Sequence, residues 1–411
     1  MELRRAEASR VAVPADRFAP PPETREAVED LRLSLQRIGF RETYKYLVGV
    51  NRYGILTSLF NRDTAEATEA FFSRVLGDAP ELLLLQVLLS GRRAERGRLD
   101  AGSRRTADAL AEAGLLEGRG RSLGPGPWQL LSFNELDLLI DRRLHFRGGV
   151  HEVYVGPDSL LMLYYVDAAR LRREYRALDL CTGTGLAALY LARFCHRVVA
   201  TDIGAEPLKL AGLNRELNAA TERVEIRDQP LAATLAEGER FDVLTCNPPF
   251  VAYPPGVEGS LYSHGTDTDG LGYMRDILNA LEDVLVPGGT AYLVADLVGD
   301  GEGPYFLDEV AELVSSRGFA ADVFIDNILP AAVQVEPMVS HLESLHPERD
   351  REDLRVELEH FQRRTLRAEC YYMSTLKVRT AVEEPRLRVF RRHLPPPPSD
   401  SDPWPDILRR R

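Results

Sequence analysis

Residues 176–202 read RALDLCTGTGLAALYLARFCHRVVATD. A short apolar run carrying Asp179 ends in a turn with two glycines, Gly183 and Gly185. An apolar helical stretch follows at 186–194, and a β-branched run at 197–201 ends on Asp202. Strand, glycine turn, helix and strand in this order form the unit of a parallel sheet. Glycines let the chain turn sharply and bring backbone close to a ligand, and a helix start just beyond them favours negative charge.

Working outward, the same texture continues. Asp158 or Ser159 can cap a helix to about 169. Helices are expected at 206–218, 272–285 and 307–317, and strands at 175–180, 224–226, 241–246, 289–296 and 321–325. A charged, helix-prone insertion spans 334–369, and 371–378 fits one more strand. The reading is an α/β fold with a mostly parallel, doubly wound sheet over 151–393. Before it, helical spacing occurs at 26–38 and 65–76. Then come a helix at 81–89, an arginine-rich segment at 92–100, a helix at 104–116 with Ser103 as cap, and a Gly/Pro hairpin at 118–133. That order suggests a mainly helical, winged-helix-like domain over 25–150. Residues 1–24 and 394–411 are Pro-rich and read as tails.

Composition narrows the function. With 44% apolar and 28% charged residues the chain is globular rather than disordered. No apolar run approaches the ~18–20 residues of a membrane helix, and the N-terminus lacks the apolar core of a secretory signal. The four cysteines are far apart without a C-x-x-C pair. Neither a disulfide framework nor a metal site is offered, and a reducing cytoplasm is the expected compartment. The net charge of −12 argues against wholesale attraction to nucleic acid or anionic lipid. It is uneven: residues 1–150 hold 23 Lys and Arg against 21 Asp and Glu. Arg92, Arg93, Arg96, Arg98, Arg104, Arg105, Arg119 and Arg121 cluster in thirty residues, so a phosphate-binding face on this module stays open beside a packing role.

The glycine turn alone admits two readings. G-T-G-L-A-A fits the dinucleotide fingerprint G-x-G-x-x-A, with Asp202 19 residues beyond Gly183 as a ribose-binding acid. Asp179 weighs against it, because a carboxylate at the strand end would repel a pyrophosphate. The same carboxylate would attract the α-ammonium group of a sulfonium amino acid.

FDVLTCNPPF at 241–250 ends a strand on Asn247-Pro248-Pro249-Phe250. Two prolines fix φ and remove two backbone donors, leaving carbonyls and the Asn oxygen as acceptors. Such acceptors suit the two N–H groups of a planar amine or amide, with Phe250 stacked on its face.

DLCTGTG followed by ATD resembles the cofactor half of class I S-adenosylmethionine-dependent methyltransferases. The resemblance implies a seven-stranded Rossmann-like sheet and S-adenosylmethionine as cofactor. It assigns cofactor contacts to Asp179, Cys181, Thr182, Gly183 and Gly185, to Asp202 and Ile203 at the second strand end, and to Asp228 facing the adenine amino group. Cys181 replaces a glycine frequent in this loop and reads as a space-filling residue. NPPF resembles the (Asn/Asp/Ser)-Pro-Pro-(Tyr/Phe/Trp) motif of amino-methyltransferases acting on adenine N6, guanine N2 or glutamine amides, which makes Asn247, Pro248, Pro249 and Phe250 catalytic. Asp269-Gly270-Leu271 is similar to a stretch following this motif in release-factor glutamine methyltransferases. HEVYVGPDSLLMLYYV at 151–166 departs from them, offering G-P-D-S where they carry R-P-E-T. Tyr154, Tyr253 and His264 are weaker substrate-side candidates; His151, Asp267 and Asp269 read as surface or turn residues. RNA, DNA, protein glutamine and small molecules remain alternatives as substrate, as do a catalytically silent scaffold and a nicotinamide-type enzyme.

Overall fold

The computed structural model describes residues 18–42, 44, 74, 76–141 and 153–391. The expected tails fall mostly outside these, as do most of the 65–76 helix and His151. The first helix, α1 (Pro22–Arg37), starts inside the stretch expected as tail. Pro22 opens it, and Ala27, Val28, Leu31 and Leu35 form its buried stripe.

Two short helices follow, α2 (Leu83–Ser90) and α3 (Ala101–Glu112). Asp100, not Ser103, caps α3: its carboxylate accepts from the Gly102 and Ser103 amides at 2.9 and 3.2 Å. Ser103 is already in the first turn, buried. Strand β1 (Ala94–Glu95) pairs antiparallel with β3 (Ser122–Pro125), which also pairs with β2 (Leu116–Arg119). A second hairpin, β4 (Trp128–Phe133) and β5 (Leu136–Asp141), stands where the sequence suggested the end of the first.

The remainder folds as expected, with one strand more. Its parallel strands are β6 (Arg176–Leu180), β7 (Arg197–Asp202), β8 (Val224–Asp228), β9 (Phe241–Cys246) and β10 (Leu285–Gly299). Then come β11 (Ala320–Pro330), β12 (Cys370–Arg379) and β13 (Arg386–Arg391). The order is β13-β11-β12-β10-β9-β6-β7-β8. Strand β12 runs antiparallel between β10 and β11, and β13 adds an eighth, mostly exposed edge strand parallel to β11. Chain order reverses between β6 and β9, so a crevice opens at their carboxyl ends, where open α/β sheets take ligands.

Helices α4 (Pro157–Tyr165), α5 (Leu186–Leu191), α6 (Ala205–Leu217), α7 (Leu231–Ala236), α8 (Gly272–Val284) and α9 (Leu307–Arg317) cover the sheet. The charged insertion forms α10 (Ala331–Leu345) and α11 (Arg351–His360). Residues 178, 244, 291 and 293 are fully buried, as central strands covered on both faces require.

The N-terminal module shares a hydrophobic core with this domain. The Asn214 side chain on α6 exchanges hydrogen bonds with the Leu139 backbone of β5 at 2.7 and 2.9 Å, and donates to the Thr184 carbonyl at 2.9 Å. Among the described residues no helix is long and apolar enough to cross a membrane.

Candidate active site

A cavity of about 390 Å³ runs along the carboxyl ends of β6, β7 and β9. The glycine turn forms one end and Asn247 to Phe250 the other. Gly183 and Gly185 have φ of +54° and +79°, and a Cβ on Gly185 would touch Ala211 at 3.4 Å. Cys181 takes the same left-handed conformation at φ +53° with a side chain attached.

Asp179 is buried, and its carboxylate accepts from Thr182 Oγ1 at 2.6 Å, Thr245 Oγ1 at 2.7 Å and the Ala188 amide at 3.1 Å. Burial pushes its pKa up to about 6 against these bonds. The carboxylate thus anchors its own loop while bordering the cavity. Asp202 accepts from the Gly183 amide at 2.9 Å and from the Ile203 and Gly204 amides at 2.8 and 3.0 Å. Burial raises its pKa, and those amides oppose the shift. Ile203 beside it is 50% exposed, an apolar side chain open to the cavity.

Asp228 is a correction. It is exposed and does not border the cavity. Register places it opposite Asp202, and the chain then bends so that Gln229, Pro230 and Leu231 form the wall.

At the other end, Asn247 Nδ2 donates to Asp158 Oδ2 and to Ser159 Oγ, both at 2.9 Å. A carboxylate facing the amide identifies that atom as nitrogen. Both amide protons are therefore engaged, while the amide oxygen accepts no hydrogen bond from the described residues. The Tyr154 hydroxyl donates to the second Asp158 oxygen at 2.8 Å, and the Tyr154 ring stacks on Tyr262 at 5.7 Å. Burial raises the Asp158 pKa. Behind it lies Asp296, pushed up to about 7 by burial and then by the Asp158 charge. Gly270 supports the motif from below: a Cβ there would lie 2.3 Å from the Phe250 carbonyl oxygen.

Two further sequence candidates lie elsewhere. Neither Tyr253 nor His264 borders the cavity. Tyr253 is buried with Val257, Leu342 and Leu354, its hydroxyl 3.1 Å from Ser263 Oγ. His264 packs edge-on against it, and its Nδ1 accepts from the Gly259 amide at 3.1 Å. Tyr253 secures the loop to the helical insertion, and His264 braces Tyr253. Asp267 and Asp269 pair with Arg275 at 3.0 and 2.6 Å. Sequence reasoning missed the hold of Asp158 and Ser159 on Asn247, and it missed Tyr262 and Gln229. The G-P-D-S stretch was the available signal.

The arginine cluster is partly compensated. Arg92 and Arg98 approach Asp78 at 3.5 and 3.8 Å, Arg93 approaches Glu117 at 3.1 Å and Arg96 approaches Asp108 at 3.4 Å. Arg104 donates to the Leu99 carbonyl at 2.9 Å. The Arg119 side chain lies outside the described residues.

This strand order, with a ligand crevice at the strand ends, is the Rossmann-like α/β arrangement that the resemblance to S-adenosylmethionine-dependent methyltransferases implied. Residues 155–298 match the family model of the methyltransferase small domain. The chain is 27% identical over 177 residues to a release factor glutamine methyltransferase of Clostridium acetobutylicum, covering 40% of this chain and 60% of that one. It is 31% identical over 176 residues to a ribosomal protein uL3 glutamine methyltransferase of Neisseria gonorrhoeae, covering 39% and 54%. A tRNA1(Val) (adenine(37)-N6)-methyltransferase of Bacteroides fragilis is 26% identical over 167 residues, covering 40% and 66%. The chain thus spans about half to two thirds of the length of these relatives.

The residues present fit the cofactor. Gly183 leaves backbone open to the cavity, and Ile203 and Leu231 offer apolar walls suited to a purine. The Asp202 carboxylate has about four acceptor positions, of which the three backbone amides take three.

Proposed function

We propose that the chain is an S-adenosylmethionine-dependent N-methyltransferase acting on a planar nitrogen, a carboxamide or an exocyclic base amine. One observation carries this reading. The Asn247 amide nitrogen is clamped by Asp158 and Ser159, its oxygen accepts no hydrogen bond from the described residues, and Asn247 lines the cavity that also meets the glycine turn. When bound, S-adenosylmethionine supplies an electrophilic methyl carbon on its sulfonium. Asp202 would hold it, with the Gly183 backbone, Ile203 and the wall from Gln229 to Leu231. Asn247 Oδ1 and the Pro248 carbonyl accept the two N–H groups of the substrate. Phe250 packs on its plane, a contact worth ~1–3 kcal/mol for a base. Both acceptors draw density toward nitrogen, and the fixed geometry removes the entropic cost of alignment, where up to ~7–11 kcal/mol is at stake. No strong base is required, because the nitrogen becomes acidic only as it turns cationic.

The glutamine methyltransferases among the relatives, together with the D-G-L stretch and the acidic balance of the chain, support a carboxamide substrate. A base amine of RNA is the second reading. It is favoured by Arg105 and Arg121, which carry no ion pair among the described residues. In either case the winged-helix-like N-terminal module would select the substrate. The unpaired cysteines support a reducing, cytoplasmic setting. Incubation of the purified protein with labelled methyl donor and fractionated cell extract tests the proposal. Label in protein glutamine supports the first reading and label in RNA the second. No transfer to any nitrogen-bearing fraction contradicts both.

A further inference from the structure

A second cavity, about 630 Å³, lies at the opposite, amino-terminal edge of the sheet. One face of β10, β12, β11 and β13 is its floor. Register aligns Thr290, Arg379, Ala320 and Arg386 in one cross-strand row, and Tyr292, Lys377, Asp322 and Arg388 in the next. Adjacent strands lie about 4.8 Å apart, so these side chains form a grid on a rigid base. The segment after α4 makes the wall, with Arg170, Arg172 and Tyr175.

Most charges around the cavity have partners. Arg388 is bidentate to Asp322 at 2.7 and 2.8 Å, Arg170 meets Asp167 at 3.0 Å, and Asp242 accepts the Arg176 amide at 2.9 Å. Lys377, Arg379 and Arg386 are different. Among the described residues no carboxylate lies within ion-pair distance of any of them. Lys377 is half-buried, its Nζ 5.7 Å from the centre of the Tyr292 ring. Burial lowers its pKa, although Asp167 and Asp322 pull the other way from further off. Three uncompensated cations facing one concavity run against the charge of a chain with net −12.

We propose that this cleft is a binding site for a small, multiply phosphorylated ligand. Guanidinium forks match phosphate oxygens two at a time, and an ammonium adds a point charge beside them. Three positive charges suit a di- or triphosphate group better than a lone carboxylate. The volume is within the ~300–1,000 Å³ of small-molecule pockets. The concave shape favours a compact ligand over an extended nucleic-acid strand.

Calorimetric titration of the full chain with inorganic tripolyphosphate tests this. That probe lacks an adenosine that could enter the methyl-donor cavity. Saturable binding at physiological salt is expected, weakened at least tenfold in the Lys377→Gln/Arg379→Gln variant. Should that variant misfold, the exposed Arg386→Gln should weaken binding at least threefold. Arg105→Gln, in the other arginine cluster, should leave it unchanged. Absence of saturable binding, or equal loss in Arg105→Gln, overturns the proposal. So does retention of a single-stranded RNA through Lys377 and Arg379 when tripolyphosphate does not bind.

Discussion

Asn247 Nδ2 donates to Asp158 Oδ2 at 2.9 Å, joining residues 89 apart in the chain. The bond decides which atom of the amide faces the cavity. Released from Asp158, the amide can rotate and present its nitrogen, a donor, to a substrate that is itself a donor.

Asp158→Ala should therefore lower kcat by about 100-fold, the usual cost of misplacing a reacting group by ~1 Å, with methyl-donor affinity unchanged. Asp158→Asn keeps an acceptor for Asn247 and should recover part of the loss. Single-turnover rates beside calorimetric donor binding check this. A parallel fall in both parameters would assign Asp158 to the cofactor end instead.

The two ends of the cavity should separate in mutants. Asp202→Ala removes the acceptor proposed for ribose and frees the Gly183, Ile203 and Gly204 amides. Donor binding should fall at least 100-fold, since hydrogen bonds to charged groups contribute ~1.5–3 kcal/mol and the loop loosens as well. Asn247→Ala should retain donor affinity while turnover drops by two orders of magnitude or more. Equilibrium binding of radiolabelled donor to both variants distinguishes the roles.

The fold was legible because each strand and helix of the domain carries its own period and punctuation. The glycine turn and NPPF stand at strand ends, so the cleft followed from topology. What escaped reading is tertiary. Asp158 and Ser159 look like helix caps, and only packing of α4 over the sheet brings them to Asn247. Asp228 was misplaced because a chain leaving a strand can turn either way, and here the next residue turns in. His264 and Tyr253 are polar and aromatic near a motif, yet Tyr253 is buried against the helical insertion and His264 packs on Tyr253. RLRVFR at 386–391 escaped notice because alternating arginines disguise an edge strand whose outward positions are solvated.

Cys181 offers a test of backbone strain. A left-handed L-residue costs ~1–2 kcal/mol, and glycine loses ~0.5–1 kcal/mol through its greater unfolded freedom. Cys181→Gly should thus be neutral to slightly stabilising, by about 1.5 kcal/mol at most, with donor binding retained. Urea denaturation decides it. A loss above about 2 kcal/mol would mean that the thiol packing outweighs the relief of strain.

Stability should depend on pH through Asp296. At a pH below the ordinary carboxylate value of 3.8, folded and unfolded chains both hold the proton. Between there and about 7 the folded protein keeps a proton that the unfolded chain releases. Above about 7 the folded state must carry a buried charge. The contribution of Asp296 is therefore lost as pH rises from about 4 to about 7. Asp179, raised to about 6, acts in the same direction over a narrower window. Asp296→Asn should stabilise the protein at pH 8 by at least about 1 kcal/mol and change little at pH 4. Melting temperatures across this range give the comparison.

Asn214 and Asn218 both tie α6 to β5, but only Asn214 continues to the glycine turn through the Thr184 carbonyl. Asn218 exchanges bonds with the Asp137 backbone at 3.1 and 2.7 Å. Replacing either by Leu keeps bulk and strands buried backbone groups, each costing ~1–3 kcal/mol. Asn214→Leu strands two groups of Leu139 and one of Thr184, so a loss of about 3 kcal/mol or more is expected. Asn218→Leu should cost less. The donor affinity should respond differently: weakened several-fold in Asn214→Leu, where the loop loses a support, and unchanged in Asn218→Leu. Chemical denaturation and donor titration on the same two variants test this pair of outcomes. Equal effects on affinity would show that the N-terminal module stabilises the domain without reaching the methyl-donor loop.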